Sequence, residues 1–138
     1  MSFENLFDNS FERVVRDKQQ ENDFFDAFYQ RLLRSSPLIR EKFTESDRLE
    51  QRKTVKKAFY GMVVFHASGS AAGLPEKVAF THSTRGRDIK PALYDHWLES
   101  LIDTMKEYDP YSDDDVELAW RLVLSTGITY MKFKHNRF

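Results

Sequence analysis

Large apolar side chains recur along this chain at steps of three and four residues. Phe24, Phe28 and Leu32 are spaced by four, with Phe25, Tyr29 and Leu33 beside them. Gln51, Val55, Phe59 and Val63 repeat the step on a later segment. Leu98, Leu101, Ile102 and Met105 form a third stripe. Trp120, Val123, Leu124, Gly127, Ile128 and Met131 form the last. These intervals put side chains on one face of a helix, whereas a half-buried strand needs alternation at every second residue. No sustained alternation occurs, so the pattern predicts an all-α chain without a sheet.

The breaks between stripes carry recognisable stop and start chemistry. Pro37 follows Ser35 and Ser36 and should end the second helix. Asp47 with Glu50 three residues on reads as a cap for the next. The small-residue run Ala67–Gly73 reads as a loop, and Pro75 suits the first turn of a short helix. Gly86 should end or bend that helix, and Pro91 should begin another. Pro110, then Ser112 with Asp115 three residues on, should open the last helix, with Asp113, Asp114 and Asp115 where the helix dipole favours negative charge. The predicted map is helices at roughly 3–18, 20–36, 47–66, 75–84, 90–108 and 113–134, with a short turn at about 37–43.

Composition narrows the function. The chain has 138 residues, the length of a domain with one core, and we expect a single domain over residues 1–138. Twelve Phe residues are enough either to fill a dense helical core or to line a cavity for a large flat apolar ligand. A net charge of −1 gives no basic excess for phosphate contacts, which disfavours nucleic-acid binding. No apolar run approaches the ~18 residues of a membrane span. The segment MSFENLFDNS does not read as a secretory signal. There is no Cys, which removes disulfides, thiolate metal sites and thioether attachment of a haem or bilin. The expectation is a cytoplasmic protein.

The candidate chemistry lies in four residues: His82 in PEKVAFTHSTRGR, Tyr29 in FYQRLL, Phe43 in IREKF, and Gln51 in LEQRK. Read singly, each has an ordinary alternative. His82 could be a surface residue at a helix end, Tyr29 a core tyrosine, Phe43 a core aromatic, and Gln51 a solvated first-turn residue. Read in order, the segments FYQRLLRSSPLIREKF, LEQRKTV and THSTRGRDIKPALYDHW, with a late Ala–Trp pair, resemble the globin family over nearly the whole chain. The likeness is to bacterial single-domain haemoglobins and to the globin domain of flavohaemoglobins.

The resemblance implies a three-over-three helical sandwich around one haem b (iron protoporphyrin IX). It implies His82 as the proximal iron ligand, since one neutral imidazole nitrogen must face the iron. The ring's other nitrogen would then be fixed by a backbone carbonyl of the same helix or by a hydroxyl such as that of Ser83. Tyr29 and Gln51 match the distal polar pair. A phenol O–H and an amide N–H can both donate to a polarised diatomic ligand. Phe43 matches the aromatic that packs on the haem face, and Val55 the apolar guard of the distal pocket. Phe59, Val78, Leu98 and Ile128 are candidate haem contacts.

The implied function is reversible binding of dioxygen, and of NO and CO, for oxygen handling, transport or gas sensing. NO dioxygenase activity would need a reductase in trans, because no flavin or nicotinamide segment is present. A haem-free globin-like regulator is the alternative. Either a monomer or a homodimer fits. One departure stands out. Flavohaemoglobins carry a glutamate in the last helix that polarises the proximal histidine. Counting from Trp120, that position falls near His135, with no acid beside it in sequence.

Overall fold

The structure is a computed structural model describing residues 2–43, 48–71 and 73–138. Among the described residues there are seven helices and no strand: α1 (Phe3–Val14), α2 (Lys18–Ser35), α3 (Pro37–Lys42), α4 (Arg48–Ser68), α5 (Leu74–His82), α6 (Pro91–Tyr108) and α7 (Asp114–Lys134). The all-α expectation and each predicted helix are present.

The stretch expected as a turn at 37–43 is helix α3, other ends shift by one or two residues, and the first helix and the last cap differ for local reasons. The first helix stops at Val14, not near 18, because Asp17 caps α2 and its carboxylate accepts from Gln20 N at 2.8 Å. The Gln20 amide turns back to donate to the Arg13 and Val14 carbonyls, satisfying the exposed end of α1. The last helix is capped by Asp113, whose side chain accepts from Val116 N at 2.9 Å, in place of the expected Ser112. Ser36 both ends α2 and caps α3, so Pro37 falls in the first turn of α3, where its missing N–H costs nothing. The Asp47 cap lies outside the described residues.

Helix α7 packs against α1, α4, α5 and α6, while α2 packs against α3, α4 and α6. Where they meet, aromatic rings interlock. Trp120 lies 4.9 Å from Phe7 and 5.9 Å from Phe59, centroid to centroid, with Phe11 and Phe24 at 6.3 Å. Burying each such ring is worth roughly 1.5–3 kcal/mol. Half of the question posed by the phenylalanine excess is thereby answered: many of these rings fill the core.

A buried polar knot holds the ends of three helices. Asp109, 1% exposed, follows α6 and accepts from Arg13 Nε at 2.7 Å, Arg13 Nη2 at 2.9 Å and Ser10 Oγ at 2.6 Å. Trp120 Nε1 donates to Ser10 Oγ at 2.9 Å. The knot joins α1, the corner after α6 and α7. It was not legible in the sequence, because Ser10 and Asp109 are 99 residues apart.

Candidate functional site

Between α4, α5, α6 and α7 lies a largely apolar cavity of about 360 Å³, within the usual range for a small-molecule site. Helix α4 contributes Thr54, Lys57, Ala58, Gly61, Met62 and Phe65. Pro75, Val78 and His82 come from α5, Tyr94 and Trp97 from α6, and Gly127 and Met131 from α7. The walls of Met62, Phe65, Val78, Trp97 and Met131 are apolar and partly aromatic, and His82 is the histidine among them.

His82 is the last residue of α5, and the following chain doubles back over it. Ile89 N donates to the His82 carbonyl at 2.8 Å, Arg87 N to that of Thr81 at 2.7 Å, and Asp88 N to that of Ser83 at 2.9 Å. This reversal requires Gly86. A Cβ there would fall 2.1 Å from the Thr81 carbonyl oxygen, a backbone atom with nowhere to go. Gly86 therefore fixes the end of the helix as its position in the sequence suggested.

The partner of the imidazole is not the one expected. The Ser83 hydroxyl donates to the Phe80 carbonyl at 2.6 Å. Nδ1 of His82 instead lies 3.1 Å from the hydroxyl of Tyr94, in the first turn of α6. Tyr94 is the residue that sequence reasoning missed. The available signal was a tyrosine on the apolar face of a helix, whose hydroxyl must find a polar partner once buried. Burial, with the Arg87 charge adding to it, lowers the His82 pKa to about 4, so the ring is neutral at physiological pH. Burial also raises the Tyr94 phenol well above its usual range, keeping it protonated. With Nδ1 engaged by Tyr94, Nε2 is the nitrogen left for a metal.

The other candidate residues fall into groups. Val78 shares the cavity with His82. Tyr29 and Phe43 meet edge to face, with centroids 5.6 Å apart, Tyr29 buried and Phe43 half-buried. Gln51, Val55 and Phe59 are buried along α4, and Phe59 turns toward Phe11 at 5.3 Å and Phe25 at 5.7 Å in the aromatic core. Ile128 is buried and Leu98 half-buried against the core. The face of α4 that lines the cavity is the Thr54–Ala58–Gly61–Phe65 stripe, in which Thr54 and Ala58 lie three residues on from Gln51 and Val55. That offset is about 60° around the helix. Gly127 allows α7 to approach α4 here: a Cβ on it would meet Met62 Sδ at 1.9 Å.

Near His135 the structure supplies an acid that the local sequence lacks. His135 Nε2 lies 2.7 Å from Asp88 Oδ1, and Lys90 donates to Asp88 Oδ2 at 2.7 Å. The loop after α5 is thus tied to the end of α7, reinforced by Thr84 N donating to the His135 carbonyl at 2.8 Å.

The elements formed by the described residues are all helices, with a histidine lining an apolar cavity between α4, α5, α6 and α7, and comparison with solved structures identifies the class. The chain is similar to a Pseudomonas aeruginosa protein described as structurally highly homologous to a human haemoglobin. The two share 30% sequence identity and a TM-score of 0.87, over 98% of this chain and 99% of that one. This chain belongs to the globin family and has the globin fold. No protein-family model matches it, and no curated protein matches it. Among the described residues, no helix is long and apolar enough to cross a membrane, and no group of three or more His, Asp or Glu residues is placed to hold a metal ion.

Proposed function

We propose that this globin binds haem b through His82 and takes up dioxygen, NO or CO reversibly. The observation that carries the reading is the state of the His82 ring: neutral, facing an apolar cavity, its Nδ1 held by Tyr94. The donor set fits the group. A lone imidazole is a poor site for a bare ion but suffices where a macrocycle brings the equatorial donors, and the apolar walls suit its faces.

Bound haem would supply an iron with one open position for a diatomic gas. The chain's own residues would do the rest. Tyr94 holds the direction of the His82 ring, and its hydroxyl oxygen would accept from Nδ1–H when Nε2 serves as the ligand, the role a hydrogen-bonded partner plays for a metal-bound histidine. Lys57 and Thr54 line the cavity, where an ammonium and a hydroxyl can meet the cofactor's carboxylates. In this reading Tyr29, Gln51, Phe43 and Val55 would supply the distal side, and Phe59, Leu98 and Ile128 its buried support; none of the seven lines the cavity itself. Oxygen handling or gas sensing follows from reversible binding. NO dioxygenase activity would add a reductase in trans.

One observation favours a second reading, a haem-free regulator. Gln51, Val55 and Phe59 are packed into the core beside the cavity. Titration of the purified protein with hemin separates the two. A one-to-one Soret band that shifts on reduction and on CO addition supports haem binding. A colourless protein that takes up no hemin supports the regulator.

A further inference from the structure

Helix α7 buries one face in the core and leaves an uncharged stripe on the other. Leu118, Leu122, Ser125, Thr129 and Phe133 are all exposed. Their steps of four, three, four and four residues keep them in one row about 22 Å long. Leu118 is 54%, Leu122 39% and Phe133 56% exposed. Scattered apolar residues on a surface mean little. A row with apolar ends, a small hydroxyl residue at its middle and no charge along its length is different.

We propose that this face joins two copies of the chain, with α7 packed antiparallel against α7 of a second copy about a two-fold axis near Ser125. The spacing is self-complementary, as an isologous interface requires. With the axis between Ser125 and Thr126, Leu118 of one copy falls opposite Phe133 of the other, and Leu122 opposite Thr129. Ser125 sits at the crossing, where a small side chain lets two helices approach closely.

The charges agree with the same direction. The first turn of α7 is acidic, with Asp114, Asp115 and Glu117, and its last turn is basic, with Lys132 and Lys134. Since Glu117 and Lys132 are paired within the chain, Asp114, Asp115 and Lys134 are the charges that act across the interface. Antiparallel packing sets acidic ends against basic ends and aligns the helix dipoles favourably; parallel packing would set like against like. Along the rim toward α6, Glu117 pairs with Lys106, Arg121 with Glu99, and Lys132 with Asp95 within the chain, so that edge carries little uncompensated repulsion. Arg137 lies over one face of Phe133 at 4.2 Å, which holds that ring in place in the row. A net charge of −1 does not oppose self-association. One helix pair makes a small interface, so the dimer should be concentration-dependent.

Sedimentation of the full chain tests this. The expected mass rises from 16.4 kDa toward twice that value with concentration. Leu122→Asp should hold it at one chain at every concentration, while Tyr111→Asp, at an exposed residue off the row, should behave as wild type. The absence of cysteine gives a second readout, since one introduced thiol is unique. With diamide added as the two-electron oxidant, Ser125→Cys should form an interchain disulfide at least about ten times faster than Tyr111→Cys, through its raised effective concentration. A chain that stays monomeric at high concentration overturns the proposal, leaving the row for a different partner. So does a Leu122→Asp protein that dimerises as well as wild type, or a Ser125→Cys thiol that oxidises no faster than the control.

Discussion

At the scale of single residues, the cavity determines what His82 can do. Burial lowers its pKa to about 4, against 6.5 for a free imidazole. Between those values the unfolded chain binds a proton that the folded chain does not, so folding stability falls as pH drops from about 6.5 to about 4. The loss has a ceiling of about 3 kcal/mol, at 1.36 kcal/mol per pKa unit. Denaturant melts of the haem-free protein at pH 7 and pH 4.5 should show it, and His82→Gln should flatten the slope. An equal slope in both would place the titration elsewhere. Tyr94→Phe removes the hydroxyl at Nδ1 and should weaken hemin binding by about 10–100-fold, the usual cost of losing such a partner. Hemin transfer to a competing apoglobin measures it. An unchanged rate would mean that the ring is oriented by packing alone. The place of His82 beside the cavity was legible from the order of motifs along the whole chain. Tyr94 was not recognised, because its contact with His82 depends on how the chain turns at Gly86.

At the scale of elements, helix starts and stops were legible from proline, serine and aspartate positions, since caps act over three or four residues. The rotation of α4 was not. Its apolar residues run nearly around the helix, so spacing alone does not say which stripe faces the core and which the cavity. Phe59 belongs to the core because the rings of Phe7, Phe11, Phe25 and Trp120 surround it, and Val55 is buried in the same cluster.

Two substitutions probe the contacts between elements. Gly127→Ala should push the Met62 thioether toward the cavity, reducing hemin affinity several-fold. The haem-free protein should melt near its wild-type temperature, because a helix gains up to about 1 kcal/mol from Ala over Gly. Arg13→Met should leave Asp109 buried without its cation, costing about 3 kcal/mol at pH 7. In the native protein burial works against the Asp109 charge, yet hydrogen bonds from Arg13 and Ser10 outweigh it and hold its pKa below the usual range. Without Arg13 the balance reverses and the carboxyl takes up a proton more readily. The variant's deficit should therefore shrink as pH falls toward 4. A deficit independent of pH would assign the loss to packing.

At the scale of the molecule, the fold positions a neutral imidazole at a cavity that the chain does not fill with its own side chains. A ligand that binds only the native state adds RT ln(1 + [L]/Kd), about 4 kcal/mol at a thousandfold excess over Kd. The haem-loaded protein should accordingly melt well above the haem-free one. The central claim is that His82 carries iron protoporphyrin in this cavity, and the most direct measurement is an absorption titration with hemin of the wild-type and His82→Ala proteins, followed by reduction and CO. The account predicts a one-to-one Soret band in the wild type that shifts on CO binding, and weak binding with altered bands in His82→Ala. Identical spectra from both proteins, or no Soret band from either, would contradict it.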